Sequence, residues 1–160
     1  MESTTSRLAA DLVAALESKG LTCATAESCT GGGVGSAITS VAGSSAVFLG
    51  GVISYSNDVK ADVLGVSRDS LARVGAVSSE VASQMATGAR RVIGSDLAVS
   101  LTGIAGPGGG SAEKPVGLVW FGLATPSGVS TQSRIFPGDR AAIRAAAVEH
   151  ALGLLLSAVE

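Results

Sequence analysis

Residues 21–41 read LTCATAESCTGGGVGSAITSV, and this stretch decides the fold. Residues 21–26 are short, largely apolar and free of breakers, which predicts a buried strand. From residue 30 the chain is rich in glycine. It then places Val34, Ala37, Ile38 and Val41 at helical spacing, so residues 30–41 read as a helix. A strand entering a helix through a glycine-rich turn is the start of an α/β unit. Working outward, residues 5–19 set Leu8, Leu12, Ala15 and Leu16 on one helical face, with Gly20 as a stop. Residues 50–55 form a second strand, followed by a short helix over residues 59–64 with Asn57 as its cap. Ser78 or Ser79 caps the next helix, whose apolar face carries Val81, Met85, Ala89 and Val92. Residues 97–101 are a third buried strand. Residues 116–124 and 129–136 pair as a hairpin around Pro126-Ser127-Gly128, and a long helix runs from Asp139 to about Val159. The expectation is one domain over residues 1–160, a three-layer α/β/α sandwich with a mixed, mostly parallel sheet.

Composition narrows the function classes. Apolar residues make up 46% of the 160 residues but aromatics only 3%, and there are 22 glycines. Such a core has to be built from small aliphatic side chains at close approach. A net charge of −2 with no basic run argues against nucleic-acid binding. No uninterrupted apolar segment of about 18 residues occurs, so no membrane partner is expected. The N-terminus is amphipathic and lacks the continuous apolar stretch of a signal peptide. The two cysteines, Cys23 and Cys29, suit a reducing cytoplasm and read first as buried small hydrophobes. One histidine, two cysteines and scattered carboxylates form no metal-ligand set, and no cofactor is implied. Small, Ala-rich helix faces and the stripe Ile143, Ala147, His150, Ala151, Leu154 lead to the expectation of a homo-oligomer.

Three loops fall where open α/β sheets gather ligands, at the carboxyl ends of strands. The first, residues 26–32, places Ser28 just before a helix start. Backbone N–H groups of Thr30, Gly31 and Gly32 are then available to an oxyanion. An ordinary helix cap explains Ser28 equally well. The glycines alone make neither a dinucleotide fingerprint, since Ile38 stands at the third glycine position, nor a Walker loop. The second loop, residues 55–60, holds the single tyrosine and one of three lysines. His150 lies on a packing stripe, which leaves Lys60 as the candidate base for Ser28. A lysine base has to be neutral, and lowering its pKa from ~10.4 towards ~7 costs about 4–5 kcal/mol, so the site has to be dry. The Tyr55 hydroxyl is a candidate to accept from Lys60 and relay the proton. The competing interpretation is that Tyr55 caps the sheet and Lys60 is a surface charge. The third loop, residues 102–110, offers backbone at Thr102, Gly103, Ala105 and Gly106 to a flat polar ligand, or serves only as a connector. Arg140 and Arg144 are either anion-binding groups or solvated partners of Asp139 and Glu149. A thiol nucleophile at Cys29 is a rival to Ser28, though no histidine is placed to assist it.

Taken together, the stretches AESCTGG (26–32), GSSAVFLGG (43–51), YSNDVK (55–60), GAVS (75–78), TGIAGPGGG (102–110), KPVG (114–117) and FPGDR (136–140) resemble the CinA C-terminal domain family. That family comprises the nicotinamide-nucleotide amidohydrolases, or nicotinamide mononucleotide deamidases. The resemblance implies hydrolysis of the carboxamide of nicotinamide mononucleotide, in pyridine nucleotide salvage. It carries the nucleophile over to Ser28, the lysine and tyrosine to Lys60 and Tyr55, and a pocket-lining position to Thr102. The substrate- and oxyanion-binding set expected on this basis is Thr30, Gly31, Gly32, Asn57, Thr102, Gly103, Ala105, Gly106 and Arg140. Many members carry a further N-terminal molybdopterin-binding-protein-like domain. These 160 residues hold no counterpart of it, so they are expected to act as a stand-alone form without any pyrophosphatase activity tied to that domain. Gly33-Val34-Gly35 is richer in glycine than the family pattern, and looser helix winding is expected there. The alternative from another class is a non-catalytic nucleotide-binding or competence/damage-associated interaction protein.

Overall fold

The computed structural model describes residues 1–160. In chain order the elements are helix α1 (Thr4–Lys19), strand β1 (Cys23–Glu27), α2 (Gly33–Thr39), β2 (Phe48–Ile53), α3 (Asn57–Leu64), α4 (Arg68–Arg73), α5 (Ser79–Ile93), β3 (Leu97–Gly103), β4 (Leu118–Thr125), β5 (Gly128–Ile135) and α6 (Arg140–Val159). The sheet order is β2-β1-β3-β4-β5, with β2, β1 and β3 parallel and the β4–β5 hairpin antiparallel. The three-layer mixed sheet expected from the sequence is present. The short α4, between residues 65 and 75, has no counterpart in the sequence-based expectation. It is one and a half turns long, too short for an apolar period to register.

The period-two alternation of β1 divides the core. Cys23 packs into the layer of α1, α2 and α6 with Leu12, Leu16, Ile38, Val99, Phe121 and Leu152. Ala24 and Ala26 point the other way, towards Met85, Ala86 and Ala89 of α5. That second face is floored by small residues, and α5 therefore lies almost on the sheet backbone. The Ser100 hydroxyl donates to the Ala82 carbonyl at 2.6 Å. A Cβ on Gly122 would stand 2.4 Å from the Ala82 carbonyl oxygen, and one on Gly88 would stand 2.0 Å from that of Leu64. This is why the chain needs so few aromatics: backbone approach replaces side-chain bulk. Gly88→Ala, which in an open helix would add about 0.5–1 kcal/mol of stability, is expected here to lose about 1–3 kcal/mol by overpacking. Thermal unfolding of the purified variant measures the sign.

Helix α6 has the length and apolar character of a membrane span. Its buried residues Ile143, Ala147, Ala151, Leu152 and Leu155 instead pack with α1 and the sheet in one cluster. Gly33 also has a steric role. A Cβ there would lie 2.9 Å from Val148 of α6, so the extra glycine lets α2 and α6 touch rather than loosening the turn for nothing.

Candidate active site

Ser28 follows directly on β1, and its N–H extends the ladder to the Leu101 carbonyl of β3 at 3.0 Å. It is buried, at 8% exposure. Next to β1, strand β2 ends at Ile53, and its alternation continues into the loop: Ile53 is exposed, Ser54 buried, Tyr55 exposed. The following helix is capped by Ser56, whose hydroxyl accepts from the Val59 N–H at 3.2 Å. Asn57 is therefore the first helical residue and not the cap. Ser56 has the extended backbone of a cap, φ −86° and ψ 159°, and two adjacent cap-forming residues are not ordered by sequence alone. One turn into α3, Lys60 points back beneath β1 and β2.

Lys60 is 1% exposed. Its Nζ donates to Ser28 Oγ at 2.9 Å, to the Ser54 carbonyl at 2.7 Å and to the Tyr55 carbonyl at 3.1 Å. Burial pulls its pKa down from the ordinary 10.5 to about 8. Tyr55 thus meets Lys60 through its backbone. Its side chain is 63% exposed, and its hydroxyl lies 3.5 Å from Arg140 Nη2. The expected proton relay through the tyrosine hydroxyl is not what the geometry provides, because strand alternation turns Tyr55 outward where it turns Ser54 inward.

The expected oxyanion donors also need correction. Helix α2 begins only at Gly33. The Gly33 N–H donates to the Thr30 carbonyl at 3.0 Å. The next two N–H groups of that helix are taken by the buried carboxylate of Glu27, which accepts from Val34 N at 2.9 Å, Gly35 N at 3.0 Å and the Thr30 hydroxyl at 2.6 Å. The helix dipole is answered by Glu27, not left for a ligand. The Gly31 N–H donates to the Ser28 carbonyl at 3.1 Å. Among the peptide groups next to Ser28, those of Cys29 and Thr30 donate N–H to no other residue.

A cavity of about 220 Å³ opens at this point. Of the expected residues, Ser28, Tyr55, Asn57, Lys60, Thr102, Gly103, Ala105 and Arg140 line it, joined by Cys29, Ala76 and Val77. Thr30, Gly31, Gly32 and Gly106 do not line it. Gly106 acts one step removed, its carbonyl accepting from Arg140 Nη1 at 2.8 Å. The Thr102 hydroxyl donates to the Ala76 carbonyl at 2.9 Å and ties β3 to the loop before α5. Cys29 is a poor nucleophile here: burial pushes its thiol up to about 11, where almost no thiolate exists at neutral pH. His150 is elsewhere, bonded through Nε2 to Gln132 Oε1 at 2.8 Å, with its ring centroid 4.5 Å from that of Phe121. Neither Arg140 nor Arg144 pairs with Asp139 or Glu149. Asp139 caps α6 through the Ala142 N–H, and Glu149 accepts from the Thr5 hydroxyl. Sequence reasoning missed Glu27, the Ser54 carbonyl and Ala76-Val77. A carboxylate three residues before a threonine and seven before a helical N–H was the available signal for the first.

A CinA C-terminal domain profile matches residues 5–159. The chain belongs to the CinA C-terminal domain family. A "CinA-like protein" of Synechococcus sp. (strain RCC307) is 56% identical over 151 residues, which is 92% of this chain and 36% of that protein. The chain thus spans about a third of that relative's length. "Nicotinamide-nucleotide amidohydrolase PncC" of Escherichia coli (strain K12) is 52% identical over 142 residues, covering 88% of this chain and 86% of the relative. Among solved structures, the competence/damage inducible protein CihA from Agrobacterium tumefaciens superposes with a TM-score of 0.96 at 44% identity, over 100% of this chain and 98% of the other. This CinA-family fold accounts for the sheet order and for the loops that meet at Ser28.

Proposed function

We propose that residues 1–160 act as a single amidohydrolase domain that converts nicotinamide mononucleotide to nicotinic acid mononucleotide and ammonia. The observation that carries this reading is the 2.9 Å contact between Lys60 Nζ and Ser28 Oγ in a buried cavity. The 52% identity to an amidohydrolase of that name supplies the substrate.

The chemistry follows from the three acceptors around Nζ. As an ammonium, Lys60 satisfies all three. As a neutral amine, it keeps two N–H bonds to the Ser54 and Tyr55 carbonyls and turns its lone pair to the Ser28 hydroxyl. Ser28 Oγ then attacks the carboxamide carbon while Nζ takes the hydroxyl proton. The carbonyl π electrons move to oxygen, and the free N–H of Cys29, on the cavity wall, is the first donor for that oxyanion, with the free N–H of Thr30 one residue behind it as the second. Collapse breaks the C–N bond, and the amide nitrogen leaves as ammonia with the proton from Lys60. Water attacks the resulting ester, Lys60 takes its proton, and that proton returns to Ser28 Oγ as the acid is released. Arg140, at the cavity mouth beside the Tyr55 hydroxyl, is placed for the anionic phosphate. Thr102 retains hydroxyl lone pairs for a substrate N–H. The same reading puts the enzyme in cytoplasmic pyridine nucleotide salvage, as a homo-oligomer.

Because the base has to be deprotonated and its pKa lies at about 8, kcat/KM is expected to rise about tenfold per pH unit up to that value and then level off. An ammonia-release assay from pH 6 to 9 on nicotinamide mononucleotide, nicotinamide riboside and nicotinamide tests both statements. Turnover is expected to drop sharply once the phosphate is missing. Tight binding of the mononucleotide with no ammonia at any pH would overturn the enzymatic reading and favour a nucleotide-binding protein.

A further inference from the structure

Arg144 sits on α6, 116 residues beyond Ser28, and does not line the cavity. Its Nε donates to the Cys29 carbonyl at 3.1 Å and its Nη2 to the Thr30 carbonyl at 3.1 Å. No carboxylate pairs with it. Gly31, at φ +58°, leaves room beside this guanidinium, since even a Cβ there would be 3.6 Å from Nη2.

In a trans peptide the carbonyl of one residue and the N–H of the next point in opposite directions, because the group is planar. Holding the Cys29 carbonyl against Arg144 therefore aims the Thr30 N–H away from α6. Holding the Thr30 carbonyl likewise fixes the Gly31 N–H, which donates to the Ser28 carbonyl. That bond in turn fixes the peptide plane carrying the Cys29 N–H. One forked side chain thus sets the orientation of both unpaired donors next to the nucleophile. It also polarises the peptide that carries the Thr30 N–H, since a cation on the Cys29 carbonyl oxygen strengthens the N–H at the other end of the same peptide. The Cys29 N–H is reached only through the bond from the Gly31 N–H to the Ser28 carbonyl.

Resting on the proposed reaction, we propose that Arg144 is the positioning residue of the oxyanion site, acting through the backbone of residues 28–31 and not through contact with substrate. A lysine in its place brings all its donors to one nitrogen on a flexible stem and does not reproduce the rigid fork whose Nε and Nη2 hold the two carbonyls separately.

The test compares wild type, Arg144→Met and Arg144→Lys in two measurements, with thermal unfolding reporting that each variant is folded. The first is the rate at which an alkyl fluorophosphonate labels Ser28, followed by mass. There Ser28 Oγ bonds to phosphorus, fluoride leaves, and Lys60 takes the proton, so no nucleotide is needed. The expected result is labelling slowed about 10–100-fold in the Met variant, less than the roughly 10²–10³-fold cost of removing an oxyanion donor outright, because the donors stay and only their orientation is loosened. Lys should give an intermediate value, and the pH midpoint near 8 should stay put. The second is steady-state deamidation, where kcat is expected to fall in parallel with labelling while KM stays unchanged. Unchanged labelling in both variants overturns the inference, as does a raised KM at constant kcat, which would make Arg144 a phosphate contact. Wild type that fails to label at Ser28 would instead overturn the nucleophile assignment itself.

Discussion

Ser28→Ala is expected to lower kcat for ammonia release by about 10⁴–10⁶-fold, the scale seen when a serine hydrolase loses its nucleophile. The variant removes one hydroxyl that is 8% exposed and faces the cavity, and the fold should hardly notice. The backbone bond from the Ser28 N–H to Leu101 is unaffected. Lys60 keeps both carbonyl acceptors. Affinity for the mononucleotide should therefore persist while turnover vanishes. Cys29→Ala is the control. With its thiol pushed up to about 11 by burial, Cys29 has no thiolate to contribute, and most activity should survive. If the serine variant keeps a tenth of its activity, or the cysteine variant loses all of it, the nucleophile is not Ser28.

Lys60→Met should reduce kcat by about 10³–10⁴-fold, as expected for loss of a positioned base. It should also change how stability depends on pH. The folded pKa of Lys60, about 8, lies below the ordinary 10.5. Below pH 8 both folded and unfolded chains carry the proton, and the folded state bears the full cost of burying the ammonium. Between about 8 and 10.5 only the unfolded chain holds it, so wild-type stability rises with pH across that window. Above 10.5 both are neutral and the cost is gone. At about 1.4 kcal/mol per unit the swing is no more than about 3–4 kcal/mol, and smaller where water reaches the cavity mouth. Subtracting the curve of the Met variant cancels every other titrating group. Urea unfolding at pH 7, 9 and 10.5 should show wild type gaining on Lys60→Met. Parallel curves would mean that Lys60 titrates normally and is no base.

Much of the fold was written locally. Short, largely apolar runs free of breakers became β1 and β3, period-3.6 runs became α1, α5 and α6, and Pro126-Ser127 joins β4 to β5 as a two-residue turn. These signals need only neighbouring residues. Boundaries shifted where local signals tie. Ser56 rather than Asn57 caps α3, and α2 starts at Gly33 rather than Thr30, because Glu27 reaches forward to the Val34 and Gly35 N–H groups. Tyr55 lines the cavity but meets Lys60 through its carbonyl rather than its hydroxyl, although the alternation Ile53-Ser54-Tyr55 already contained that orientation.

By itself, then, the sequence determined which residues are chemically able: a serine on a strand-to-helix turn, a scarce lysine after the next strand, and glycines where backbone has to approach backbone. The tertiary structure alone decided what they do to one another. The parallel pairing of β1 with β2 brings Lys60 to 2.9 Å from Ser28 across 32 residues. The docking of α6 brings Arg144 to the carbonyls of Cys29 and Thr30 across more than a hundred. A lowered lysine pKa and a hydrogen-bonded dyad depend on distances of a few ångströms and on dryness. Neither exists until distant elements have packed.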